Sequence, residues 1–568
     1  MIARRSEFWD TSVPRPWLAA YPRGILPHLT YPAEPLTHLL DRSAERFPSR
    51  VACCYYEQTL TYDELAAQVR RMAAWLLETG LQPGDRVGLL LPNLPETIAA
   101  LFGTWLAGGV VVSLSPLMVA EEVAALVLKA RCSVVITLDV LAPLLRSCQA
   151  PHPKCVVLAT LKNRLPRLER LGYAWVRFRR LGFSAPCPSI RTVPWSRLVD
   201  GRCQEADVPR VSPQSPALIL PTGGTTNAPK AVVLSHTNLM ANACQLTHWS
   251  GGRAGEESIL ATLPFFHSYG LSSCLTSGMA LGATLILHHR FRTDSVVRLI
   301  ERHRPTLFPA VPAMLAALNS QELRRRRRDF SSLRACISGG AALPPRVAQE
   351  FAEHTGCRVV EGYGLSEASP VTHVGPLDGS AVPGTIGLPL PDTDACIVDS
   401  ETGTHPLPFG QVGELVVRGP QVMLGYYEDP AATAQAVRHG WLYTGDLAAC
   451  DERGFFRIVD RKKDLIITSG FNVVPGDVEE VLLKYPGVRE AAVVGVPDED
   501  KGELVKAILV LERGKKFHRH DFERFAHQHL AAYKRPRIVE TRTEPLPRNF
   551  LGKVLRRQLR SAESARPR

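Results

Sequence analysis

Apolar and polar positions between about residues 50 and 460 follow two alternating periods. DELAAQVRRMAAWLLETG (63–80) has apolar residues at helical spacing and ends in glycine, which predicts a helix with a glycine stop. DRVGLLLP (85–92) is a short unbroken apolar run, as expected of a strand buried on both faces. A helix around 95–108 and the strand GVVVSLSP follow, and SVVITL, KCVVLA, PALILPT, ATLILHH and ACISGG read as later strands. Strands alternating with helices predict parallel α/β sheets. From about 381 to 458 the spacing shortens and turns multiply (ETGTHPLPFGQVGELVVRG, DERGFFRIVD), which predicts antiparallel β. After DRKKDLIITSG the pattern changes again. PGDVEEVLLKYPGV reads as helix and turn, EAAVVGVPDED and ELVKAILVLERG as strands, and HDFERFAHQHLAAY as a helix. That is a compact α+β unit, with a boundary near 460–463.

Composition sharpens this picture. A chain of 568 residues that is 45% hydrophobic buries a large core and divides into at least two domains. Residues 97–120 and 258–287 are long enough to span a bilayer. Both carry internal Gly, Ser and Thr and end in β-branched runs, which predicts a buried helix followed by a buried strand. The start, MIARRSEFWD, is charged and lacks the apolar stretch of a secretory signal. The 13 cysteines include no CxxC spacing and read as small buried hydrophobes in a reducing compartment. These features predict a cytoplasmic protein.

The net charge of +12 is concentrated in two places. Residues 161–202 hold ten Lys/Arg against two Asp/Glu, and residues 514–568 hold fifteen against five. No zinc finger, RNP motif or basic zipper accompanies them, so nucleic acid is not an expected partner. In LKNRLPRLERLGYAWVRFRRLGF (161–183), Arg interleaves with Leu, Trp and Phe. Two readings stay open there, a peripheral contact with the inner face of the membrane and a solvated domain edge. The five-arginine run at 324–328 reads as solvated surface.

The chemistry-bearing segments begin with PTGGTTNAPK, 221–230, placed directly after the apolar run ALIL. Small residues leave backbone N–H groups open to phosphate oxygens, Thr222, Thr225 and Thr226 add hydroxyls, and Lys230 adds charge. It is not a Walker loop, because Pro229 precedes the lysine and Ala231 follows it. EGYGLSEASP (361–370) contains Gly-Leu-Ser-Glu-Ala, one residue short of a nucleophile elbow, which raises a serine hydrolase using Ser366. Glu367, however, offers a hard anionic oxygen suited to Mg²⁺. HSYG places His267 on an apolar run, where a satisfied core histidine is the simpler reading. The pairs His518/His520 and His527/His529 have ligand spacing but read as an exposed helix in a basic tail.

Together with YTGDLAACDERGFFRIVDRKKDLIITSGFNVVPGDVEEV (443–481) and PRNFLGKVLRR (547–557), these segments resemble, in order and spacing, the acyl-adenylate-forming superfamily. The similarity runs from about 35 to 560. TGGTT, LPFFHSYGL, IGLPLPDTD and DRKKDLIITSGFNVVPGDVEEVL look most like bacterial long-chain fatty-acid–CoA ligases. The resemblance implies an α/β large N-terminal domain over 1–460, made of two parallel-sheet α/β subdomains plus a small antiparallel β subdomain. It further implies a hinge at 461–463 and a small, mobile α+β C-terminal domain over 464–568.

By the same resemblance Thr222, Gly223, Gly224, Thr225, Thr226 and Lys230 hold the β- and γ-phosphates of ATP, and Thr222 and Glu367 hold Mg²⁺. Tyr363, followed by Gly364, stacks on adenine, with the backbone of Gly340 and Ala341 on its other side. Asp446 takes the ribose hydroxyls, helped by Arg461. Lys463 is the pivot and Lys553 reaches the α-phosphate. His267 lines the mouth of the acyl pocket, and Gly470 with Phe471 forms the passage for coenzyme A. The implied reaction joins a long-chain fatty acid to ATP, giving acyl-AMP and pyrophosphate, then acyl-CoA. Transfer to an acyl-carrier protein, or release of the adenylate, is the alternative ending. A non-catalytic lipid-surface protein using 161–202 is a further one. Three positions depart from the family pattern: Asn227 and Ala231 replace glycines of the loop, and Leu551 replaces a small or hydroxyl residue before Lys553.

Overall fold

In a computed structural model, the chain is described over residues 14–148, 152–162, 164–165, 167–181, 190–199, 207–221, 230–320, 323, 328–468, 471–498, 501–549 and 552–561. Two large sheets form the N-terminal part. One has eight strands and is parallel over Arg86–Leu90, Val110–Ser113, Cys132–Leu138, Cys155–Ala159, Arg191–Pro194 and Pro216–Pro221. The other has nine and is parallel over Val51–Tyr55, Thr284–Leu287, Ser258–Ala261, Leu307–Ala310, Ala335–Ser338 and Arg358–Gly364. Both 24-to-30-residue uncharged stretches resolve as a helix leading into a strand: Pro95–Leu106 into Val110–Ser113, and the helical run 268–281 into Thr284–Leu287. Among the described residues no helix is long and apolar enough to cross a membrane.

The helix Pro95–Leu106 is buried nearly all round, because it lies within the core shared by the two sheets. Trp105 closes that seam, its Nε1 donating to Ala217 O at 2.8 Å. The helix predicted over 63–80 spans Tyr62–Glu78 and starts with a reciprocal capping box between Thr61 and Glu64.

The sheets are less purely parallel than the sequence pattern predicts. Gln58–Thr61, Val371–Val374 and Leu388–Pro389 add antiparallel edges to the nine-stranded sheet. In the other sheet, Pro216–Pro221 pairs antiparallel with Ala231–Ser235, with Pro221 opposite Ala231. The Gly/Thr loop is therefore the connection of a hairpin. The next helix, His236–Ser250, begins only after Ser235, which caps it. The loop does not lead directly into a helix N-terminus, whose dipole could have favoured an anion there.

The predicted antiparallel region is a five-stranded sheet of Asp394–Val398, Gly413–Arg418, Val437–Arg438, Trp441–Cys450 and Phe456–Arg461. From Ile466 a separate five-stranded sheet follows, built on the hairpin Val488–Asp498/Gly502–Leu511. It has its own core, which includes Val478, Leu482, Val493, Val505 and Phe522. The architecture is a large N-terminal α/β domain followed by a small C-terminal domain. The described cysteines are free thiols.

Candidate active site

The first group of candidate residues is assembled at the end of the strand Arg358–Gly364. Gly364 has no substitute there, since a Cβ would lie 2.0 Å from Pro370 O. Tyr363, immediately before it, donates its hydroxyl to Asp446 Oδ2 at 2.6 Å. Asp446 stands directly opposite Arg461 across the pair Trp441–Cys450/Phe456–Arg461, and the Arg461 Nε lies 3.0 Å from Asp446 Oδ1. Asp446 is only 5% exposed, so both its oxygens are directed by neighbours. Gly340, at the end of the strand Ala335–Ser338, has φ of +79°, a conformation that suits glycine.

The second group surrounds Glu367, in a short 3₁₀ turn of Ser366–Ala368. Among the described residues, Tyr426 alone hydrogen-bonds this carboxylate, its hydroxyl donating to Oε1 at 2.9 Å. The same ring carries the Lys230 ammonium 4.7 Å from its centroid. Lys230 and Glu367, far apart in sequence, thus meet through a tyrosine that sequence reasoning did not single out. Thr222, Gly223, Gly224, Thr225 and Thr226 lie outside the described residues.

His267 begins the third group. Its Nδ1 accepts the Tyr269 backbone N–H at 3.2 Å, and burial holds the imidazole down to about 4, so it is neutral. Asn93, 1% exposed, fastens this segment to the other sheet: its amide donates to Ala261 O and Leu263 O and accepts from Phe265 N. Tyr269 packs where a Cβ on Gly339 would touch its ring at 3.0 Å, and donates to Ile337 O at 2.7 Å. This joins HSYG to the turn carrying Gly340 and Ala341. Ser366 Oγ lies 3.2 Å from Ser268 Oγ, and a neighbouring hydroxyl is no base, which argues against a hydrolase.

A π-helical turn, Leu271–Thr276, follows His267. It and the helix Ser277–Leu281 border an apolar cavity of about 40 Å³, lined by Leu246, Ile259, Leu281, Leu307, Phe308 and Ile337 among others. That is space for about three water-sized groups. A long acyl chain entering here requires its walls to separate.

Lys553 approaches from the C-terminal domain on a tight turn. Asn549 Oδ1 accepts the Lys553 N–H at 2.9 Å, and Asn549 N donates to Lys553 O at 2.9 Å. Gly552 sits against the large domain, where an added Cβ would be 3.4 Å from Ala313 Cβ. Lys553 retains exposed surface, yet crowding in the cleft lowers its ammonium to about 8, with Arg461 adding to the effect and Asp446 and Asp464 opposing it. Arg556, three residues on, is a further residue that sequence reasoning missed. It reaches Glu479 Oε2 at 2.8 Å, Asp460 Oδ1 at 3.1 Å and Asp464 Oδ2 at 3.6 Å, tying the lysine segment to the strand end before Lys463. Lys463 is exposed, and crowding lowers its pKa as well.

Glu361, two residues before Tyr363 on the same strand face, was also missed; burial raises it to about 7. Phe471 lies in the strand Phe471–Val473, and Gly470 lies outside the described residues. His520 and His527 are partnered by Arg524 and Arg535, and among the described residues no group of three metal-ligating side chains forms. Tyr363, Asp446, Arg461 and Lys553 are therefore neighbours across one cleft, and Glu367 with Lys230 forms a second group.

A sequence model of the AMP-binding enzymes matches residues 40–427, and one of their C-terminal domain matches 477–553. The chain is 40% identical to a long-chain-fatty-acid–CoA ligase of Bacillus subtilis, over 97% of this chain and 98% of that one. It is 34% identical to a feruloyl-CoA synthase of Amycolatopsis, over 91% and 97%. The crystal structure of ATP-bound MatB from Rhodopseudomonas palustris superimposes with a TM-score of 0.78 at 29% identity, covering 93% of this chain and 99% of that one. The chain belongs to the AMP-binding enzymes.

Proposed function

We propose that this enzyme is a ligase forming carbon–sulfur bonds, which activates a long-chain fatty acid with ATP and transfers the acyl group to coenzyme A. The observation that carries the reading is the convergence of an aromatic ring, a carboxylate and two cations, Tyr363, Asp446, Arg461 and Lys553, at one interdomain cleft. An aromatic face suits adenine, and a carboxylate with spare lone pairs suits two ribose hydroxyls.

In the first half-reaction a carboxylate oxygen of the acid bonds to the α-phosphorus, the bond from that phosphorus to the bridging oxygen breaks, and pyrophosphate leaves. Lys553 neutralises charge gathering on the α-phosphate. Thr222 to Lys230 retain the departing phosphates. The Glu367 carboxylate, a hard donor engaged by Tyr426 at one oxygen, fits Mg²⁺, and Thr222 is its expected co-ligand. When bound, the metal supplies neutralisation of phosphate charge. Neutral His267 orients the acyl carboxylate at the pocket mouth.

The domain 464–568 then turns about a hinge at 461–463, with Lys463 as pivot, removing Lys553 and admitting the thiol past Gly470 and Phe471. Sulfur bonds to the acyl carbon, AMP leaves, and the thiol proton is lost to solvent.

Pyrophosphate release measured against a series of fatty acids of increasing length tests the substrate class. A rise toward long chains supports it. A preference for aromatic acids would transfer the enzyme to the feruloyl-type reading, which the similarity to a feruloyl-CoA synthase keeps open. Thioester formation with coenzyme A against phosphopantetheinylated carrier protein decides the acceptor.

A further inference from the structure

The helix Arg167–Leu181 is built inside out. Its positions 169, 173 and 177 share one face, at i, i+4 and i+8, and that face is turned to the protein through polar groups. Tyr173 donates to Asp139 Oδ1, the Arg177 Nε lies 3.0 Å from Asp139 Oδ2, and Glu169 accepts from the Tyr56 hydroxyl. Asp139 is 5% exposed, so it is the buried anchor of the helix. Positions 171, 175 and 178 fall on the opposite face, at i, i+4 and i+7. There Leu171 is 72% exposed, Trp175 59% and Phe178 51%. An ordinary surface helix does the reverse, turning its apolar stripe to the core.

The charge around this stripe is one-sided. Residues 161–181 hold seven Lys/Arg against a single Glu. Arg179 lies over the Trp175 ring at 4.9 Å, where its guanidinium flanks the stripe. An apolar strip with a tryptophan, bordered by arginines on a helix fixed from behind, matches the boundary between acyl chains and anionic headgroups. An acidic protein surface would satisfy the arginines but not Leu171 and Phe178. We propose that this helix is a docking surface for anionic phospholipid bilayers, lying in the membrane plane with Leu171, Trp175 and Phe178 in the interfacial layer. The assignment goes beyond the reaction above and holds whichever acid is activated.

The test is flotation of the full chain with vesicles of phosphatidylglycerol and phosphatidylcholine, against phosphatidylcholine alone. The parent should float with the anionic vesicles, and salt should weaken it. Leu171→Ser/Trp175→Ser/Phe178→Ser should lower the partition coefficient about tenfold or more. Arg170→Gln/Arg179→Gln should lower it about fivefold per arginine. Both variants should keep parental thioester formation from an acid delivered on albumin, which certifies folding. Leu171→Asp, at the most exposed position, is the single-site version should the triple variant fail to fold. Failure of the parent to float, or equal flotation of the variants, overturns the proposal. A concentration-dependent dimer that the triple variant abolishes, without flotation, would name a second copy as the occupant. Trp175 shielded from aqueous quencher without vesicles would name residues 182–189 of this chain. Either result also overturns it.

Discussion

Tyr363 and Asp446 sit on strands paired on both sides, whereas Lys553 sits on a turn held by Asn549 and by ion pairs of Arg556. Asp446 is 5% exposed and Lys553 keeps exposed surface. Strand register fixes the first pair to the large domain, so in the proposed cycle the nucleotide would meet the same groups in both half-reactions. Lys553 is held by contacts inside the small C-terminal domain, and of the Arg556 ion pairs only the one to Asp460 reaches the large domain. The difference teaches which groups are suited to binding and which to a single step.

Lys553→Ala probes that difference most strongly. Without the ammonium, pyrophosphate release from fatty acid and ATP should fall about 10³-fold, the upper range for one electrostatic stabiliser. Synthetic acyl-AMP with coenzyme A should still give thioester at close to the parental rate. Equal loss in both half-reactions would mean that Lys553 is as permanent a part of the site as Asp446, and the comparison would fail.

Glu367→Gln keeps the shape and the Tyr426 contact but removes the charge offered to Mg²⁺. Adenylation should drop about 10²-fold, with partial recovery as Mg²⁺ is raised. Near-parental turnover at ordinary Mg²⁺ would show that the metal is held elsewhere.

Arg556→Gln separates position from chemistry. The variant leaves Glu479, Asp460 and Asp464, all less than a fifth exposed, without their shared cation. Stability should fall by about 2 kcal/mol, read by denaturant unfolding of the C-terminal transition. Adenylation should fall about tenfold, because the Lys553 turn loses its tether, while use of synthetic acyl-AMP stays near parental. A drop in both half-reactions alike would reduce Arg556 to a structural role.

Much of this arrangement was legible in the chain. Unbroken apolar runs such as RVGLL and CSVVITL became parallel strands because burial on both faces leaves no other composition. EGYGLSE and GKVLRR could be singled out because each is local in sequence, and the roles proposed for Tyr363, Glu367 and Lys553 come from the family resemblance. Tyr426, Asn93 and Arg556 were not, because each acts through partners 59, 172 and 77 residues away. For Arg461 a signal existed: the DERG turn folds YTGDL back on RIVDR, which brings 446 opposite 461. The inverted helix was half legible, since its apolar and basic residues are plain in the sequence. That its polar face is the inner one depends on Asp139, on another segment.

The smallest effect concerns pH, and it tests whether Lys553 moves as proposed while the strand-held groups stay. Desolvation in the cleft, reinforced by Arg461, lowers Lys553 to about 8, below the ordinary lysine range. In the proposed first half-reaction the ammonium is the form that neutralises the α-phosphate. Adenylation should therefore be full below that value, halve near pH 8 and decline as pH rises further. Glu361, raised by burial to about 7, also titrates in this window, becoming anionic as pH increases. Glu361→Gln removes that group, so a decline near pH 8 that persists in this variant belongs to Lys553. The second half-reaction, started from acyl-AMP, should lack this limb, since Lys553 has left the site. The measurement is pyrophosphate release and thioester formation on both proteins from about pH 6 to about pH 10, a range that includes the lowered lysine value and stops just short of the ordinary one. A limb of the same position in both half-reactions would place the titrating group among the strand-held residues, and the division between the two sides of the cleft would have to be redrawn.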